Sequence, residues 1–142
     1  MEGVSTSKQT VTIFTTFSDH SEAYSLNRVV LDQLKMLLDN GYLVNVIVTE
    51  SFKAKGLYED PRITLKYIPN VPVHNEVKRD DNFEADVESI YVALKDALKD
   101  SSVVITHDIV YQNAALKHNF AARKAAAEFP KVRWLHWIHS AT

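Results

Sequence analysis

Four short clusters in this 142-residue chain gather imidazole, carboxylate and hydroxyl groups: Ser18-Asp19-His20, Thr49-Glu50-Ser51, Thr106-His107-Asp108 and His139-Ser140. Side chains of these types hydrogen-bond a polyhydroxylated ligand, and an imidazole transfers a proton near neutral pH. Each cluster follows an apolar run that reads as a strand. Polar residues after strands are also ordinary loop and cap chemistry. Asp19 or Ser21 reads equally well as a cap for the first helix, and Thr49-Glu50-Ser51 as a simple turn. His107-Asp108 and His139 stand above that background because they end adjacent strand–helix units, so their imidazoles can share one cleft.

Other chemistries are excluded by spacing and composition. In "HWIH" the two histidines are three apart, and an extended strand turns them to opposite faces, so they do not chelate one ion. His136 is then expected to pack inside, and His139 to stand at the strand's carboxyl end. The only glycines are Gly3, Gly41 and Gly56. There is therefore no GxGxxG and no GxxxxGK[ST], which argues against a Rossmann dehydrogenase and a P-loop ATPase. No cysteine is present, and the net charge is −2 with signs interspersed. That balance offers no field for nucleic acid, and no segment approaches the roughly 20 apolar residues of a membrane span. A cytoplasmic location is expected, with no cofactor and no metal. The scatter of Lys117, His118, Arg123, Lys124, Lys131 and Arg133 reads as the solvated face of the last helix and its connection.

The elements that must position these residues follow from hydrophobic periodicity. "TVTIFTTF" is short and rich in β-branched and aromatic residues, which favours a strand. Leu26, Val30, Leu34, Leu37 and Leu38 recur at helical spacing, and Asn40-Gly41 supplies a helix stop. "YLVNVIVTE" reads as a strand buried on both faces and "ITLKYIP" as a less buried one. Residues Pro69 to Phe83, with two prolines and mixed charges, read as a long mobile loop. In the next helix Val87, Ile90, Tyr91, Leu94 and Leu98 share a face, with Asp81 and Glu84 spaced as a capping box. "SSVVITHD" is a fourth strand, "QNAALKHNFAARKAAAEFP" an alanine-rich helix closed by Pro130, and "KVRWLHWIHS" a fifth, buried strand. With 46% hydrophobic residues, residues 1–142 make one domain. The order predicts a Rossmann-like three-layer α/β/α sandwich around a mainly parallel sheet of about five strands.

The last third, "VVITHDIVYQNAALKHNFAARKAAAEFPKVRWLHWIHSAT", resembles the amino-terminal domain of glycosyltransferase family 4 enzymes, which have the two-domain GT-B fold. In those proteins a strand ends in a His-acidic or similar pair, an alanine-rich helix follows, and the next strand ends in an H-[ST] segment facing the interdomain cleft. His107-Asp108 and His139-Ser140 occupy those two places. The detailed match covers about forty residues; the rest agrees in element order.

The resemblance implies sugar transfer from a nucleotide-sugar donor to an acceptor hydroxyl. His139 would be the catalytic residue nearest the reacting groups, and Asp19, His20, His107, Asp108 and Ser140 the acceptor contacts. Family members commonly carry Gly-Gly after the first strand; "FSDHSEAYSLN" has none, which leaves two readings open: Asp19 and His20 contact the acceptor instead of donor phosphates, or the chain is a divergent member whose chemistry has drifted. The donor-binding residues of the family lie in a carboxyl-terminal domain outside this chain, so the isolated chain is expected to be inactive. The competing reading is a non-catalytic Rossmann-like binding or interaction module, because fold alone does not fix function.

Overall fold

The computed structural model describes residues 9–16, 25–71, 81–107, 109 and 115–137. Strands β1 (Thr10–Phe14), β2 (Leu43–Thr49), β3 (Ile63–Ile68), β4 (Ser101–His107) and β5 (Arg133–Trp137) form one sheet in the order β3-β2-β1-β4-β5. Every pairing is parallel. Helices α1 (Ser25–Asp39), α2 (Phe83–Leu98) and α3 (Leu116–Glu128) alternate with the strands. This is the expected Rossmann-like α/β architecture.

Two apolar layers hold the sheet. Val11, Ile13, Val44, Val46 and Val48 point to one face, where they meet Val30, Leu34, Leu37 and Leu38 of α1. Phe14, Ile47, Ile68 and Val104 point to the other and pack on Phe83, Ile90, Leu94 and Leu98 of α2 and on Ala121, Ala122 and Ala125 of α3. Strand side chains alternate between faces, so a strand covered by helices on both sides needs apolar residues at consecutive positions. In β2 every residue from Val44 to Thr49 is buried. Its one amide, Asn45, is satisfied because Nδ2 donates to the Ala97 carbonyl oxygen at 3.3 Å.

α1 ends as its sequence predicts. Gly41 adopts φ +85°, a left-handed conformation that a side chain would oppose. The Tyr42 N–H donates to Leu37 O and the Gly41 N–H to Leu38 O, both at 3.0 Å, which closes a Schellman motif. No full helix separates β2 from β3. A short 3₁₀ turn, Gly56–Glu59, makes the connection, with Phe52 and Tyr58 in edge-to-face contact at 5.1 Å under α1.

The Asp81/Glu84 capping box does not form. The N-cap of α2 is Asn82, with no side-chain capping bond. The helix thus starts one residue later than the box requires, which puts Glu84 at the second helical position instead of the third. Most of the predicted mobile loop, residues 72–80, lies outside the described residues. The fifth strand departs from expectation in burial: no residue of β5 is buried, since it forms the sheet's edge and no helix lies over its α1-side face. Leu135 and Trp137 are 55% and 48% exposed on that face. Among the described residues no helix is long and apolar enough to cross a membrane.

Candidate functional site

From β1 the chain progresses to β2 and β3 on one side, and from β4 to β5 on the other. The direction reverses between β1 and β4, and in open parallel sheets a crevice opens beyond the carboxyl ends at such a point. Phe14 and His107 end those two strands. Asp19, His20, Asp108, His139 and Ser140 lie outside the described residues; of the sequence-selected group, His107 is described.

His107 is 2% exposed. Its side chain lies on the α1 face, where Nε2–H donates to Gln33 Oε1 of α1 at 2.7 Å. The imidazole ring lies 6.2 Å from that of Trp137 at the end of β5. The bond ties α1 to β4 and the ring contact adds the end of β5, so His107 helps to position the rim of the crevice.

The neighbouring polar residues are engaged in similar ties. Thr15, just beyond β1, is buried and donates its hydroxyl to Ile47 O at 2.7 Å. Tyr58 donates its hydroxyl to Asn27 Oδ1 in the first turn of α1 at 2.8 Å, and burial raises the phenol's pKa well above its ordinary value. Glu50 accepts from the Asn70 backbone N–H at 3.0 Å, joining the ends of β2 and β3. Thr49-Glu50-Ser51 is therefore a structural turn, the plainer of its two readings.

On the opposite face, the first turn of α3 corrects an expectation. Lys117 and His118 were assigned to a solvated surface, yet they are 1% and 6% exposed. Lys117 Nζ lies 2.7 Å from Asp86 Oδ2 of α2. The His118 ring lies 6.3 Å from that of Phe14, and its buried Nδ1 has no hydrogen-bond partner. Burial, then the adjacent Lys117 charge, lowers its pKa to about 4. A signal was present in the sequence: Lys117, Ala121 and Ala125 recur every four residues, one helix face made of small residues below a lysine. Alanine carries too little hydrophobic contrast for that face to be recognised as buried.

A second concavity was missed altogether. Asn119, Ala122, Arg123 and Ala126 of α3 face Trp134 and His136 of β5 across a pocket of about 370 Å³. His136 was expected to pack inside. It is instead an exposed pocket wall, because β5 is an edge strand, although its Nδ1 shares a 2.8 Å hydrogen bond with the buried Thr106 hydroxyl. Partial desolvation lowers its pKa. The Trp134 and His136 rings stack at 6.3 Å, and the buried Trp134 Nε1–H has no acceptor among the described residues. Among the described residues no group of three His, Cys, Asp or Glu side chains could hold a metal ion.

The chain matches no protein-family model and no curated protein.

Proposed function

We propose that this chain is the acceptor-side domain of a glycosyltransferase that moves a sugar from a nucleotide-sugar donor to an acceptor hydroxyl. The observation that carries the reading is the direction reversal between β1 and β4. Segments following the carboxyl ends of β1, β4 and β5 contain Asp19-His20, Asp108 and His139-Ser140. The resemblance of residues 103–142 to family 4 enzymes supports the same assignment. In this proposal Asp19, His20, Asp108 and Ser140 hydrogen-bond the acceptor, while His107, held by Gln33, positions the segment that carries Asp108. His139 orients the acceptor hydroxyl and stabilises charge as the donor phosphate departs; it is not a nucleophile. Nucleotide recognition belongs to a carboxyl-terminal domain, and transfer occurs in the cytoplasm.

Saturation-transfer NMR with a panel of simple glycosides tests the acceptor half, with calorimetry against nucleotide sugars beside it. The expected result is glycoside binding that His139→Ala and Asp108→Ala abolish, and no strong nucleotide-sugar binding. Micromolar affinity for a nucleotide sugar would overturn the division of labour. One observation favours a non-catalytic interaction module: no glycine follows β1 to admit a phosphate closely. Absence of saturation transfer to every glycoside would decide for that module.

A further inference from the structure

The pocket between α3 and β5 lies on the α2/α3 face of the sheet, to the side of the β1/β4 crevice, and the reading above does not use it. Its walls have fixed chemistry. Trp134 and His136 alternate with Leu135 along β5 and so share a face. The bond from Thr106 to His136 Nδ1 holds the imidazole in place and leaves Nε2 as the nitrogen available to a ligand. Ala122 and Ala126 line the pocket with small side chains. Arg123 is exposed and has no ion-pair partner among the described residues. The Trp134 Nε1–H is buried and has no acceptor among the described residues, so the indole meets the pocket with its apolar surface.

We propose that this pocket binds an anionic monosaccharide, a sugar phosphate or a uronic acid. The ring would lie against the indole of Trp134, its hydroxyls would meet His136 Nε2, and its phosphate or carboxylate would take the fork of Arg123. An apolar ring face suits the indole, and an anion suits a planar guanidinium that has no ion-pair partner among the described residues. Hydroxyls around the ring separate a sugar from an unsubstituted aromatic acid, because they give His136 Nε2 a partner in addition to the anion held by Arg123. The volume of about 370 Å³ falls at the lower end of the roughly 300–1,000 Å³ of small-ligand sites, as a single ring requires.

The chain has two tryptophans, Trp134 and Trp137, so Trp137→Phe leaves Trp134 as the only indole reporter. Its emission is titrated with glucose 1-phosphate, glucuronate, neutral glucose and inorganic phosphate. Saturable change with at least one anionic sugar is expected, with its midpoint raised about tenfold or more by Arg123→Gln, the scale of one charged hydrogen bond. A response to the phosphate ester alone identifies a sugar phosphate, and one to glucuronate alone a uronic acid; either supports the proposal. Melting of Arg123→Gln checks that the fold is intact, and Arg123→Lys gives a second reading of the charge if it is not. No saturable change with either anionic sugar overturns the proposal, as does an equal midpoint for neutral glucose or for phosphate alone. Emission that changes with protein concentration in the absence of sugar would place another polypeptide in the pocket and overturn it too. None of these outcomes bears on glycoside binding at His139, so the two readings fail separately.

Discussion

β2 and β5 are both short parallel strands of apolar composition, yet they sit in opposite surroundings. β2 has β1 and β3 on its two sides, α1 over one face and α2 over the other, and it is buried from Val44 to Thr49. β5 pairs with β4 alone, with α3 near one face and no described helix over the other, and none of its five residues is buried. Apolar residues give a strand the capacity to be buried; its neighbours decide whether that capacity is used. The inner strands accordingly carry the stability of the domain, while the outer strand presents two large apolar side chains, Leu135 and Trp137, to its surroundings.

Truncation should separate the two regions most strongly. Leu34→Ala on α1, beneath fully covered sheet, is expected to lower stability by about 2–5 kcal/mol, the transfer loss plus the cavity left behind. Leu135→Ala on β5 should change it by less than about 0.5 kcal/mol, as exposed positions do. Urea denaturation of both variants makes the measurement, and equal losses would mean that β5 is covered in solution.

The pairing of α2 with α3 contains the same contrast in charges. Lys117–Asp86 is buried on the lysine side, whereas Lys124–Glu88 is half exposed on both sides. Asp86→Ala leaves an ammonium in the interior and is expected to cost about 3 kcal/mol. Glu88→Ala should cost under about 1 kcal/mol, because water screens that pair. A double-mutant cycle with Lys117→Met would show whether the Asp86 loss comes from the stranded charge: most of it should disappear when the lysine is also removed.

Much of this arrangement was legible beforehand, for physical reasons. Runs such as "TVTIF" and "LVNVIVT" announce strands because β-branched residues at consecutive positions suit a doubly covered sheet. Asn40-Gly41 marks the end of α1 because few other residues accept a positive φ. The orientation of α3 was hidden. Its alanines give it no strong apolar stripe, so only its packing on α2 and β1 reveals that Lys117 and His118 face inward. The exposure of β5 was hidden for the converse reason, since "RWLHW" has the composition of an inner strand. Of the candidate site, His107 is the member that lies among the described residues; it is enclosed, and the bond it makes with Gln33 joins positions 107 and 33, a long-range pairing that local spacing does not encode.

His118 turns the inner region's dryness into a pH signal. Its folded-state pKa is about 4, against an ordinary value of 6.5. Between those values the unfolded chain binds a proton that the folded chain refuses. The stability held by the neutral ring is thus complete above about pH 6.5 and is lost as pH falls towards 4. From pH 7 to pH 5 the expected loss is about 2 kcal/mol. His118→Leu should lack that component, so the parent's urea midpoint should fall relative to the variant's as the pH falls from 7 to 5. Parallel midpoints across that range would show that the ring is accessible to water.

The smallest effect concerns His107, which ends β4, and His136, inside β5, which the inner–outer contrast separates. His107 is enclosed between α1 and β4, and its loss leaves Gln33, itself buried, with an unpaired oxygen and a cavity beside it. His107→Ala is therefore expected to cost about 2 kcal/mol. His136 also has a buried partner, the Thr106 hydroxyl. Its removal, however, opens the pocket to water, which can take over the hydrogen bond. His136→Ala should cost about 1 kcal/mol or less. His136→Phe separates packing from hydrogen bonding at this position, because it keeps a ring on the wall while removing Nδ1. If stability follows the Thr106 bond, the Phe and Ala variants will melt together; if it follows the stacking on Trp134, Phe will melt with the parent protein. A larger loss at His136 than at His107 would reverse the ranking and mean that the outer strand is covered after all.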